Sequence, residues 1–218
     1  MRVELGLTEA TLIEAASVLS DAFAEYPVEI SFTPQSLRSM CDADDVVLDA
    51  CALARGHDGR LLGVGLAALR DGCGRVAAMG VAREAHRRGI GQALGEAVVG
   101  SLRSAGARSV ILEALTVNKP ALALYEERLR FTRRRRLIGF TRPAGSKPID
   151  QPRWDEALSQ RGEPDSWQLA RVVRAARSEL DLTWVPAVIP ERHPVARLLQ
   201  DEGFSEALID QYELERRL

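Results

Sequence analysis

Two short strings in this chain place residues that could hold an anion and move a proton. The first is AMGVAREAHRRGIGQALGEAVVG, residues 78–100. A strand ends near Val81, a short loop follows, and Gly89 and Gly91 admit the chain into the first turn of a helix. Glycines let backbone N–H groups close around an anion with no Cβ in the way, and the helix terminus adds its own partial positive charge. A diphosphate is the natural guest, and His86, Arg87 and Arg88 crowd the same corner and offset part of its charge. The string fits neither a GxGxxG after a first strand nor a GxxxxGK ending in serine or threonine. Taken alone, its glycines also fit an ordinary helix start. The second string is VILEALTVNKPALALYEERLRF, residues 110–131, in which Tyr125 falls seven residues after Asn118, about two helical turns along one face. A tyrosine there could protonate a leaving group formed near the strand ends; it could also simply anchor its helix. Glu113, on the neighbouring strand, is the candidate general base, since a carboxylate or a water held by one can take up a proton; it could also point away from the cleft or pair with an arginine at the surface.

The elements that must position these residues follow from period and punctuation. Arg2–Leu7 alternates as a first strand, Thr8 caps a helix over about Glu9–Glu25, and a short helix is expected near Gln35–Cys41. Val46–Arg55, Leu61–Leu69 and Arg75–Val81 read as three adjacent strands joined by the turns at His57–Gly59 and Asp71–Gly74, hence an antiparallel meander. After Gly89 the period changes to a helical stripe over Gln92–Ala105, closed by Gly106. Val110–Leu115 is then a buried strand, Pro120–Arg128 a short helix and Thr132–Phe140 a strand.

Together the two strings resemble the GNAT superfamily of acetyl-coenzyme A dependent N-acyltransferases. The family pattern Q/R-x-x-G-x-G/A stands here as HRRGIG, and N-x-x-A-x-x-x-Y as NKPALALY. The resemblance covers roughly residues 1–140 and is strongest from Val76 to Phe131. It implies a mixed α/β sheet, mostly antiparallel, with a splayed cofactor-binding strand pair. It also implies that Met79 and Val81 offer backbone to the pantetheine arm and that the amides of Arg88, Gly89, Ile90, Gly91, Gln92 and Ala93 hold the pyrophosphate. Asn118 would touch the cofactor or fix the splayed strand, Ala121 would lie against the cofactor, and Tyr125 would contact it and protonate the departing thiolate. The implied reaction is direct attack by a primary amine, from a small molecule or a peptide, on acetyl-coenzyme A, with a strand N–H near Val81 facing the oxyanion. A non-catalytic acyl-coenzyme A sensor or assembly subunit is the alternative, and an interaction domain with no ligand a further one. Two departures stand out. His86 replaces glutamine or arginine, which is expected to alter affinity rather than remove the site. Arg130 replaces the glycine usual before the phenylalanine, which is expected to bend the exit of the Tyr125 helix differently.

Bulk properties narrow the remaining classes. A net charge of -2 and a pI near 6.0 give no global positive field for nucleic acid or an anionic membrane. The start MRVELGLTEA has no basic-then-apolar leader, and no apolar run approaches the roughly 20 residues that span a bilayer, so a cytoplasmic location is expected. Cys41, Cys51 and Cys73 form no CxxC pair and read as buried thiols, and His57, His86 and His193 have no ligand-spaced acidic partner, so no metal is expected. The run Arg133–Arg136 reads as a solvated strand, with a phosphate contact or nucleic-acid binding as alternatives; alternation sends successive arginines to opposite faces, and Glu126 and Glu127 offset some charge. Asp21, Glu25, Glu29, Asp42, Asp44 and Asp45 make the candidate substrate wall acidic, which mildly favours a cationic acceptor.

The domain reading is an acyltransferase-like domain over 1–142, a proline-rich linker over 143–164, and a segment over 165–218. That segment holds a helix near Ser166–Leu180, an apolar run over Leu182–Ile189, a short helix over Pro194–Gln200 and a strand over Ile209–Glu215. Trp154, Trp167 and Trp184 fall in the tail and read as core anchors. Shifted by 73 residues, the middle of the chain overlays this segment, with Phe131 on Phe204, as a degenerate half-copy. The glycine loop then falls on Gly162, Glu163 and Pro164, Asn118 on Glu191 and Tyr125 on Leu198, so the copy should not bind coenzyme A. It could cover the cleft, complete a sheet or make a homodimer contact.

Overall fold

The structure, a computed structural model, describes residues 1–27, 30–146 and 184–218. The chain divides into two units: the first holds Met1–Glu113, Lys119–Arg133 and Leu214–Leu218, the second Ala114–Asn118 and Arg134–Glu213.

In the first unit, β1 (Arg2–Leu5), β2 (Ala52–Arg55), β3 (Leu61–Arg70) and β4 (Cys73–Val81) run antiparallel in that order, and β5 (Ser109–Leu115) follows parallel to β4. Connection length dictates this. The two residues between β3 and β4, Asp71 and Gly72, have φ of 52° and 76°, the pair of left-handed conformations of a type I′ hairpin. A parallel neighbour needs a crossover, and α3 (Ile90–Ser104) supplies it. On the other face lies α1 (Glu9–Phe23), and α2 (Pro34–Ala43) packs beside it. Thr8 and Thr33 start these helices as reciprocal capping boxes with Thr11 and Ser36. Leu12, Leu19, Leu37, Leu53, Val64 and Leu66 close the core under α1 and α2. On the α3 side, a Cβ at Gly63 or Gly65 would come within 2.8 Å of Leu94 Cδ1 or Val98 Cγ2, so the helix lies closer to the sheet than alanine permits there.

The apolar run Val46–Arg55 is not one strand. Val46 makes an isolated bridge to Ala68, Leu48–Ala50 turns as a 3-10 helix, and only Ala52–Arg55 pairs as a strand. The carbonyls of Leu48 and Cys51 accept from Leu7 and Gly6, both at 2.9 Å, so the turn's backbone is satisfied by the β1–α1 connection rather than by a ladder.

β4 and β5 pair only from Cys73 and Ser109 to Arg75 and Ile111; β4 runs on to Val81 and β5 to Leu115 with no further rungs between them. The strands therefore part. A bulge at Ala77, skipped as the β3–β4 register passes from Ala67↔Val76 to Leu66↔Ala78, adds the local twist that such an insertion brings.

In the second unit, β6 (Thr132–Thr141) pairs antiparallel with β7 (Trp184–Pro190), α5 (Pro194–Asp201) follows, and β8 (Ser205–Arg217) lies between β5 and β6. The tail thus completes a sheet. Strand, helix and strand succeed one another here in the same order as β5, the helix starting at Lys119, and β6. Phe140, Val185, Ile189, Val195, Leu199 and Phe204 form this unit's core. The expected helix near Ser166–Leu180, Trp154, Trp167 and most of the proline-rich linker lie outside the described residues.

The arginine run is largely balanced by carboxylates. Arg133 Nε donates to Glu126 at 2.6 Å in the first unit. In the second, Arg134 and Arg135 both reach Glu213, which is fully buried, and Arg136 pairs with Glu191 at 2.8 Å and Asp210 at 2.5 Å. No helix among the described residues is long and apolar enough to cross a membrane, and among them no group of three His, Cys, Asp or Glu is placed to hold a metal.

Candidate active site

The glycine loop forms an anion-binding shape from its backbone. Arg87 and Gly89 both hold left-handed φ, 59° and 75°, so successive N–H groups turn inward as in a backbone nest. The amides of Ile90, Gly91 and Gln92 receive no acceptor from the described residues, and Gly89 offers no side-chain cap, whereas Thr8, Thr33 and His193 cap α1, α2 and α5. Ala93 is different: its amide donates to Gly89 O at 3.1 Å, closing the first helical turn, so the expected row of donors ends at Gln92. Arg87 and Arg88 are exposed and pair with no carboxylate among the described residues. These features suit a diphosphate, because open N–H donors and the helix terminus meet there, with two exposed arginines next to them in the chain.

The loop is tethered at both ends. Asp21 on α1 accepts from the Arg83 amide at 2.8 Å and from its Nε at 3.0 Å, and these bonds hold its carboxyl below the usual range. His86 turns its ring to the strand, with Nε2 2.9 Å from Val81 O. With the proton on Nε2, this histidine occupies the Val81 carbonyl rather than reaching outward as the sequence suggested. Ala82 donates to Leu62 O on β3, so Val81, and Met79 two residues before it, turn their N–H and C=O to the open edge of β4.

Tyr125 comes to the same place. The helix from Lys119 to Ala123, α4, widens into a π turn over Leu124–Arg128, and the chain leaves through Arg130 at φ 60° with Phe131 N donating to Tyr125 O at 2.9 Å. The glycine replacement at Arg130 is thus accommodated in the conformation glycine adopts without strain. Gly91 is where the segments meet, because a Cβ built there would lie 3.1 Å from Leu124 Cδ2 and 4.0 Å from Val81 Cγ2. The Tyr125 side chain is buried at 9% exposure, packs edge-on to Phe131, and its hydroxyl has no hydrogen-bond partner among the described residues. Burial above all, then the nearby Tyr26 phenol and Glu113 charge, raises its pKa above the ordinary tyrosine value, so it stays protonated at neutral pH. Ala121 sits half-buried on the preceding turn. Asn118 belongs to the second unit, where its amide donates to Leu115 O at 3.0 Å and closes the turn after β5.

Glu113 is buried and bound. Its oxygens lie 3.4 and 3.1 Å from Arg75 Nε, and Arg75 NH1 reaches Asp44 at 3.3 Å. Arg75 was not apparent from sequence, since a lone arginine on a strand carries no local sign of a partner 38 residues away. The acids of the candidate substrate wall also have partners: Asp21 and Glu25 face Arg83, Asp42 faces Arg38, Asp44 faces Arg75 and Asp45 faces Arg70, while Glu29 lies outside the described residues. The negative field expected there is offset accordingly.

Comparison with known proteins gives the same frame. The profile of the acetyltransferase (GNAT) family matches residues 16–131, more than half of the chain. None of the curated proteins matches it in sequence. Among solved structures, a candidate acetyltransferase from Pyrococcus horikoshii superposes with a TM-score of 0.70 at 18% identity, covering 100% of this chain and 89% of that one. A GCN5-related N-acetyltransferase from Sphaerobacter thermophilus gives 0.65 at 11%, covering 99% and 95%. A Bacillus subtilis acetyltransferase in complex with CoA gives 0.52 at 14%, covering 100% and 98%. At these identities the likeness shows the fold, and the family profile, lying over the parted strands and the glycine loop, shows the rest: the chain belongs to the GNAT acetyltransferase family.

Proposed function

We propose that this protein transfers the acetyl group of acetyl-coenzyme A to a primary amine, with Tyr125 as proton donor to the departing sulfur. The observation that carries the reading is the Tyr125 hydroxyl: buried, kept protonated by its surroundings, without an acceptor among the described residues, and on the turn that meets the glycine loop at Gly91. Acetyl-coenzyme A, when bound, supplies an activated thioester and a diphosphate. The amides of Ile90, Gly91 and Gln92 would hold the diphosphate, with Arg87 and Arg88 offsetting its charge. The Met79 N–H and C=O at the open edge of β4 would pair with the arm, and the Val81 N–H, its carbonyl being taken by His86, is the donor available to charge developing on the acyl oxygen. Placement of the amine beside the thioester accounts for much of the acceleration in such a reaction, and Tyr125 adds the proton that lets sulfur leave. The CoA complex of the Bacillus subtilis protein supports the ligand class.

The test is calorimetric titration of the protein with acetyl-coenzyme A and coenzyme A, beside a variant carrying Gly89→Val and Gly91→Val, followed by thiol release across a panel of amines. Gly89 sits at φ 75°, so a side chain there is strained by about 1–2 kcal/mol while meeting no neighbouring atom, which targets the loop rather than the core. Micromolar binding by wild type, its loss in the variant, and thiol release with at least one amine are the expected results. Binding without release for any amine would favour a sensor, and no binding by folded wild type removes the cofactor assignment.

A further inference from the structure

We infer that Arg75 is a positioning residue of the acyl-transfer centre: its guanidinium fixes the Glu113 carboxylate where β4 and β5 part and joins it to the end of α2, making Glu113 a strut of the cleft rather than the base that takes the amine's proton. The inference rests on the proposed acetyl transfer and goes beyond it in assigning these two residues.

Three observations carry it. The first is place. Arg75 stands on the last rung of the β4–β5 ladder, opposite Ile111, and Glu113 is two residues further along β5, where no backbone bond to β4 remains. A side-chain link from Arg75 to Glu113 therefore spans the mouth of the opening at its narrow end. The second is commitment. Arg75 NH2 lies 3.1 Å from Glu113 Oε2, its Nε contacts both oxygens, and the side chains of Arg75, Glu113 and Asp44 are only 8%, 5% and 6% exposed. A buried guanidinium needs its counter-charges, and a carboxylate that accepted a proton here would strip Arg75 of one of them. The third is reach. Asp44 caps α2, with its amide donating to Met40 O at 2.9 Å, and the next residue, Asp45, turns left-handed to pair with Arg70 on β3. Two arginines on adjacent strands thus pin the end of α2. Arg75, between Glu113 and Asp44, thereby also fixes the Glu113 charge whose field bears on Tyr125.

The experiment compares wild type with R75Q, R75K and E113Q. Coenzyme A affinity is read by calorimetry at a temperature where circular dichroism shows each protein folded, and acetyl transfer to the best amine of the panel is read as kcat, KM and a pH profile. A merely structural loss lowers the folded fraction but leaves the dissociation constant of folded protein unchanged. R75Q is expected to weaken coenzyme A binding about tenfold. R75K, whose ammonium keeps the charge but cannot grip both carboxylates, should weaken it about threefold, and it carries the comparison if R75Q does not fold. E113Q, whose amide oxygen still accepts from Arg75 but which takes away one of its counter-charges, should lower the folded stability while the pH profile of kcat keeps its shape. An E113Q that loses about a hundredfold in kcat and the acidic limb of its profile would make Glu113 the base and overturn the inference. An arginine variant that binds coenzyme A as wild type does overturns it alone, whereas wild type that binds no coenzyme A overturns the acetyl-transfer reading and this inference with it.

Discussion

Replacing Tyr125 with phenylalanine should move stability and turnover in opposite directions. The ring is 9% exposed and packs edge-on to Phe131 with centroids 6.3 Å apart, a contact that phenylalanine keeps. What it loses is a hydroxyl with no partner among the described residues. A buried hydroxyl without a hydrogen bond costs about 1–3 kcal/mol by protein mutational measures. Taking the low end, because the side chain keeps 9% exposure, Tyr125→Phe stabilises the fold by about 1 kcal/mol, which for a chain of this size raises Tm by about 2–4 °C. The same change removes the proposed donor and should lower kcat by about 10²–10⁴, with the coenzyme A dissociation constant unchanged. The linkage also has a sign. The folded-state pKa of Tyr125 is raised above its ordinary value of 10.0, chiefly by burial, so the stability it contributes is present below that pH and is lost as pH rises through the folded value. The phenylalanine variant should lack that alkaline loss. Calorimetric unfolding against pH, thiol release and coenzyme A titration measure the three quantities. A variant destabilised by more than about 1 kcal/mol would mean the hydroxyl is satisfied in the native state, and turnover within threefold of wild type would remove Tyr125 from the chemistry.

Arg130→Gly should stabilise the chain by about 0.5–1 kcal/mol, seen as a higher denaturant midpoint with unchanged slope, because φ 60° is strained for arginine and free for glycine. Among the thiols, burial pushes Cys51 up to about 12 and Cys41 to about 11, so near neutral pH a disulfide reagent should modify half-exposed Cys73 well before these two, and all three at once in denaturant. Equal rates for the three in native buffer would contradict the packing under α1 and α2.

What could be read from the sequence was local. Asp71 and Gly72 announced their turn, Thr8 its helix, and Gly89 the start of α3, because each of those signals depends on residues a few positions apart. Val46–Arg55 misled for the same reason: its apolar composition suits a strand, but the partners of Leu48 and Cys51 are Leu7 and Gly6, far back in the chain. The candidate site divided along the same line. The nest and Tyr125 follow from spacing within one string each, whereas the clamp of Asp21 on Arg83 joins residues 62 apart, and that of Arg75 on Glu113 residues 38 apart. Charge counting failed wherever geometry chose the pairs. The acidic wall looked like a field in the sequence, and in the fold its charges are largely spent on ion pairs; the arginine run, read as a solvated strand, is bound to carboxylates, Glu126 among them.

The place of β8 between β5 and β6 sets an order on assembly. Thr116, just past β5, bonds through both backbone and side chain to Asp210, 94 residues later, and the chain makes β6, β7 and α5 in between. During synthesis, the facing edges of β5 and β6 must wait for a strand made only after β7 and α5, with their N–H and C=O groups open to any other extended segment. Closure over so long a loop is slow relative to helix and hairpin formation. In a refolding experiment, α1, α3 and the β2–β4 meander should therefore gain hydrogen-exchange protection first, and β5, β6 and β8 together afterwards, as a single late step.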